Sequence, residues 1–73
     1  MRIHIDRAAM QIMRRSEDVR KFIASLAVEP RSTWALPVLD HPNEYELPIA
    51  GIWVRWQIDH TGSETVIRVT VLE

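Results

Sequence analysis

Cysteine is absent from this chain, which rules out a disulfide framework and a thiolate zinc site. Its absence fits a reducing compartment, and the cytoplasm is the expected location. No run approaches the roughly 20 apolar residues that a membrane-spanning helix needs. The opening Met-Arg-Ile-His-Ile-Asp also lacks the apolar centre of a secretory signal. A chain that is neither inserted nor secreted is expected. Glycine occurs only twice and phenylalanine once, there is no low-complexity tract, and 47% of the residues are apolar; this composition argues for a packed core and against disorder. With 73 residues there is room for one domain, residues 1–73, and one modest core. The three histidines, His4, His41 and His60, are widely spaced and show no i, i+4 pairing, so neither a metal site nor a cofactor is expected.

The formal net charge of −1 conceals an asymmetry. Residues 1–33 carry seven Arg/Lys against four Asp/Glu, a balance of +3, and residues 34–73 carry two against six, a balance of −4. A protein that grips a phosphate backbone shows a net basic surface. Here the basic half is the half with helical periodicity, which weighs against a sheet that cradles RNA.

The organising stretch is Tyr45 to Asp59, which reads as two strands meeting at an Ala50-Gly51 turn. In its second arm Ile52, Val54, Trp56 and Ile58 share one face, and Trp53, Arg55, Gln57 and Asp59 share the other, the period of two of a half-buried strand. Before it, Ile3 and Ile5 alternate with Arg2 and His4 in a short strand. Asp6 is placed to cap a helix over residues 7–14, where Ala9, Ile12 and Met13 recur at i, i+3 and i+4 and Met10 and Met13 read as core fillers. Ser16 caps a second helix with Glu17 and Asp18 in its first turn and a stripe of Val19, Phe22, Ile23, Leu26 and Ala27; Pro30 stops it. Residues 29–43 hold three of the four prolines and read as a connector, with Trp34, Leu36, Val38 and Leu39 packed across the body. A polar turn over residues 60–64 precedes a last strand from Thr65 to Leu72, in which Ile67, Val69 and Val71 face the core. Pro48, which has no N–H to donate, belongs at the end of its strand or facing an edge.

Strand, helical hairpin and three-stranded antiparallel meander define an α+β fold, with both helices on one face of a single sheet. This order, and the wording of the central stretch, resemble the RelE/ParE toxin superfamily of bacterial toxin-antitoxin modules, including plasmid-stabilization systems. Members often read Tyr-Arg-Leu-Arg-Val-Gly-Asp-Tyr-Arg-Val-Ile-Tyr-Glu-Ile-Asp across the two middle strands. Tyr45, Leu47, Val54, Ile58 and Asp59 match, and Trp56 stands where a tyrosine precedes Glu-Ile-Asp. The resemblance spans nearly the whole chain and implies a toxin-like component that an antitoxin protein neutralises. Its target would be the ribosome and its messenger RNA, or DNA gyrase in the ParE branch. The alternative is a non-catalytic protein-interaction domain or degenerate relative, self-associating through a strand edge.

As the resemblance implies, nuclease members are ribosome-dependent endoribonucleases. They use basic groups and a terminal tyrosine to activate the ribose 2′-hydroxyl and stabilise the phosphorane charge. This chain departs from that pattern. It has Glu46, Pro48 and Trp53 where the family's basic side chains leave the open sheet face, and Val71 and Leu72 where a basic pair ends the last strand. The remaining catalytic candidates are Arg55, Arg68 and, as general base, Glu46. The plainer reading is a cross-strand Glu46–Arg55 ion pair. Trp53 beside Arg55 and Arg68 has the composition of a partner-binding surface, unless the connector around Trp34 covers it. The basic helical group Arg14, Arg15, Arg20 and Lys21 would suit nucleic acid or an acidic partner, against simple solvation.

Overall fold

A computed structural model describes residues 2–32 and 34–72, apart from the side chain of Thr61. In chain order the elements are β1 (Arg2–Ile5), α1 (Arg7–Arg15), α2 (Glu17–Ser25), β2 (Leu36–Pro37), β3 (Glu44–Ile49), β4 (Ile52–Thr61) and β5 (Glu64–Leu72). The five strands form one sheet in the order β1-β5-β4-β3-β2, with β1 parallel to β5 and the other pairs antiparallel. The fold is α+β, two helices and an open mixed sheet.

The central hairpin turns where the sequence places it. Ala50 and Gly51 both have positive φ, 51° and 81°, the backbone of a two-residue turn whose twist matches the strands it joins. Ile49 and Ile52 close the turn, so Pro48, paired with Trp53, directs its missing N–H past the end of the short β2 pairing. Asp6 caps α1, its Oδ1 accepting from the Ala9 N–H at 2.8 Å, and Ser16 caps α2, its Oγ accepting from the Val19 N–H at 3.3 Å. Each cap satisfies a donor that a helix start leaves without an intrahelical partner.

The core lies between the helices and one sheet face. Ala9 and Ile12 of α1, Val19 and Ile23 of α2, and Leu26 meet Val54, Trp56 and Ile58 of β4 and Ile67, Val69 and Val71 of β5. Trp56 is its largest member. Its ring meets Phe22 edge-on at 5.3 Å, stacks with Tyr45 at 6.1 Å, and donates from Nε1 to the Pro30 carbonyl at 2.8 Å. That bond satisfies the indole N–H inside the core, where an unmet donor is costly.

Several expectations need correction. The connector contributes a fifth strand, because β2 pairs Leu36 with Glu46 and Pro37 with Tyr45. Its large apolar side chains do not pack across the body: Trp34 and Leu39 are 77% and 85% exposed, Leu36 is also exposed, Val38 is half-buried, and only the small Ala35 of this segment packs against the core. Tight turns hold this segment near the sheet edge, with positive φ at Asp40 and Asn43 and a Val38 N–H to Glu44 carbonyl bond of 3.0 Å. Trp53 is therefore not covered by Trp34. Helix α2 ends at Ser25, since Leu26, Ala27 and Val28 donate to carbonyls three residues back. The tighter winding rotates Ala27 into solvent. Met10 is half exposed rather than a core filler; α1 turns Ala9 and Ile12 to the sheet, and Met10 follows beside them at the rim. The last turn is only Gly62-Ser63, because His60 and Thr61 pair with Thr65 and Glu64.

Candidate binding face on the open side of the sheet

Alternation along the strands sends Trp53, Arg55, Gln57 and Asp59 of β4 to the face that carries no helix. The register places them in rows. Leu36 of β2 lies beside Glu46, Glu46 beside Arg55, and Arg55 beside Thr70. One row toward the Ala50-Gly51 turn, Pro48, Trp53 and Leu72 line up; one row the other way, Glu44, Gln57, Arg68 and His4 do.

This placement brings all the proposed site residues, Glu46, Trp53, Arg55 and Arg68, onto one face. It does not leave the arginines free. Arg55 Nη2 lies 3.1 Å from Glu46 Oε2, Arg68 Nε 3.1 Å from Asp59 Oδ2, and Arg2 Nε 3.5 Å from Glu64 Oε1. Three arginines share the face with five carboxylates, Asp6, Glu44, Glu46, Asp59 and Glu64. An incoming phosphate would compete with carboxylates already in place, and its affinity would fall accordingly. The plainer sequence reading of Glu46 with Arg55 as a cross-strand ion pair holds in the geometry.

A shallow concavity of about 370 Å³ opens at the centre of this face, lined among others by His4, Asp6, Arg55, Gln57, Arg68 and Thr70. Asp6 reaches it with Oδ2, which accepts from Thr70 Oγ1 while Oδ1 caps α1. The contribution of β1 to this concavity was not foreseen from sequence. The parallel pairing of β1 with β5 supplies His4 and Asp6, and only the alternation of Arg2 and His4 with Ile3 and Ile5 signalled their side of the strand. Arg55 Nε is shielded from solvent and donates to no acceptor among the described residues. Val66 is also buried on this face, between Arg2 and Asp59 in the register, outside the main core.

The turn-side end of the face is apolar. Trp53 is 41% and Leu72 45% exposed, and the two are directly paired across β4 and β5 with Pro48 on the other flank of Trp53. Among the described residues no cluster of three His, Asp or Glu side chains is placed to hold a metal ion, and no helix is long and apolar enough to cross a membrane.

No protein-family model matches the chain, and neither a curated protein nor a solved structure matches it.

Proposed function

We propose that this chain is a toxin-like component of a bacterial toxin-antitoxin module of the RelE/ParE kind, one that acts by binding its target through the open sheet face and not by cutting RNA. The carrying observation is the pairing of every arginine on that face with a carboxylate of the same sheet. Beside the paired arginines, Trp53 and Leu72 stand exposed. A nuclease centre needs cations free to meet developing phosphorane charge. A protein-binding face needs apolar anchors with a partly shielded Arg at their side, and Trp and Arg are enriched at such hot spots. The element order, the caps and the Tyr45–Asp59 wording support the family reading.

Of the two family targets, DNA gyrase is the one compatible with a face lacking free basic groups. The shielded, unpaired Nε–H of Arg55 suits an acceptor carried in by a protein partner, which would remove the penalty of an unmet buried donor. The purified chain is expected to inhibit gyrase supercoiling and to leave ribosome-bound messenger RNA intact. Cleavage of that RNA, lost in an Arg55→Ala variant, would overturn the binding reading. No effect in either assay from a folded sample would favour the alternative of a non-catalytic interaction domain.

A further inference from the structure

The two edges of the sheet are not alike. At one edge β2 is only two residues long and one of them is Pro37, a short, donor-poor edge of the kind that resists strand addition. At the other, β1 pairs with β5 on one side only. The Asp6 N–H donates to the Val69 carbonyl at 3.1 Å, so alternation turns the N–H and C=O groups of Ile3 and Ile5 outward, away from β5. No backbone hydrogen bond reaches those groups among the described residues.

This edge is complementary to itself. A two-fold axis through His4, normal to the sheet, sets Ile3 of one copy opposite Ile5 of the other in an antiparallel pairing that engages every outward group of both edges. The same register sets Arg2 opposite Asp6 of the other copy, so opposite charges meet on the open face on both sides of the axis. Both side chains have capacity to spare. Each Asp6 oxygen accepts one bond, from the Ala9 N–H or the Thr70 hydroxyl, and Arg2 meets Glu64 through Nε at 3.5 Å, whereas a carboxylate oxygen takes a second donor and a guanidinium has further N–H groups. An axis through Ile3 or Ile5 instead separates Arg2 from Asp6 and leaves one isoleucine without its match.

On the helix side the edge is apolar. Ile3 and Ile5 are half-buried against the core, and beside them lies a groove of about 370 Å³ lined by Ile5, Met10, Met13, Arg14 and Arg20. Met10 is half exposed there, and methionine adapts its shape to incoming side chains better than branched residues do. The opposing charge term is small: Arg20 is turned to Glu17 at 3.6 Å, arginine stems can lie on apolar surface with their heads in water, and each chain carries a net charge of only −1.

We infer that the chain forms a two-fold homodimer by antiparallel pairing of its β1 edges about His4. Two five-stranded sheets become one continuous sheet, with all helices on one side, and the Met10 grooves of the two copies close on each other. The Trp53 patch lies on the other face, so the inference stands whether or not that patch binds gyrase.

The test uses the full chain, which has no cysteine of its own. Sedimentation equilibrium is expected to show a monomer that becomes a dimer as concentration rises. Hydrogen exchange should slow at the Ile3 and Ile5 amides over the same range and stay unchanged at His4, whose amide already faces β5. A His4→Cys variant places two thiols across the axis at a Cα separation of about 4.5 Å, within disulfide reach. An Arg2→Cys variant holds its thiols roughly 13 Å apart, so His4→Cys should cross-link under mild oxidation at least about tenfold faster. Arg2→Glu and Met10→Lys, both at exposed positions and each checked for folding by circular dichroism, should each weaken the dimer by about tenfold. A monomer at every concentration, protection confined to other amides, equal cross-linking of the two cysteine variants, or a dimer that neither Arg2→Glu nor Met10→Lys weakens would each overturn the inference.

Discussion

Glu46 and Arg55 face each other across the β3–β4 ladder with Oε2 and Nη2 3.1 Å apart, with Leu36 beside Glu46 in the same row and the Pro48–Trp53 pair in the next row toward the turn. Their side chains are 26% and 34% exposed, so the pair is neither fully screened nor sealed from water. A double-mutant cycle with Glu46→Gln and Arg55→Ala should give a coupling of about 0.3–1 kcal/mol. The fold should survive both changes. Loss of cooperative melting in Arg55→Ala would show that its side chain carries part of the core and not just the surface pair.

Trp56 is expected to be the most sensitive position in the chain. It is 1% exposed, contacts Phe22 and Tyr45, and donates to Pro30. Trp56→Ala should cost about 3–5 kcal/mol, enough to unfold a domain with so small a core. Trp56→Phe, which keeps an aromatic ring but loses the Nε1 donor and leaves the Pro30 carbonyl short of a partner, should cost less. Urea denaturation ranks the two, and a small shift for the alanine variant would contradict the core assignment.

Ala50 sits at φ 51° at the first turn position, where a Cβ is disfavoured. Ala50→Asn creates the Asn-Gly pair preferred in such turns and should stabilise the hairpin by about 0.5–1 kcal/mol. A lowered melting temperature would mean that the turn does not hold this backbone in solution.

Asp6 serves two elements, capping α1 with Oδ1 and accepting from Thr70 with Oδ2. Asp6→Ala should therefore cost about 1–2 kcal/mol, and Thr70→Val, which removes only the second contact, about 1 kcal/mol or less. Equal losses in the two variants would show that the cap contributes little beyond the Thr70 bond.

Local chemistry explains which of these features were legible in the sequence. Asp6 and Ser16 announce helix starts because their side chains satisfy backbone donors within three residues, and the alternation of Ile52 to Asp59 fixes a strand and its two faces without any distant partner. Glu46 opposite Arg55 followed from the two-residue turn, which sets the register of its own hairpin. The parallel placement of β1 against β5 depends on residues more than 60 positions apart, so its delivery of His4 and Asp6 to the open face had no local signal. In the connector apolar content does not mean burial. Trp34 and Leu39 stand exposed, the latter beside a turn with positive φ at Asp40 and Asn43; Asp and Asn signal such a turn but not which neighbouring side chains it leaves in solvent. Arg68 was placed on the correct face, but its partner Asp59 lies diagonally across the ladder, a relationship that needs the long β4–β5 register.

The most direct test of binding through the open face is growth of a bacterial culture with this chain under a tight promoter, beside a Trp53→Ala variant shown to be folded. Growth should arrest with the natural chain and resume with Trp53→Ala, because Trp53 is the largest exposed anchor of that face. Normal growth with the folded natural chain, or arrest unchanged by Trp53→Ala, would contradict the account.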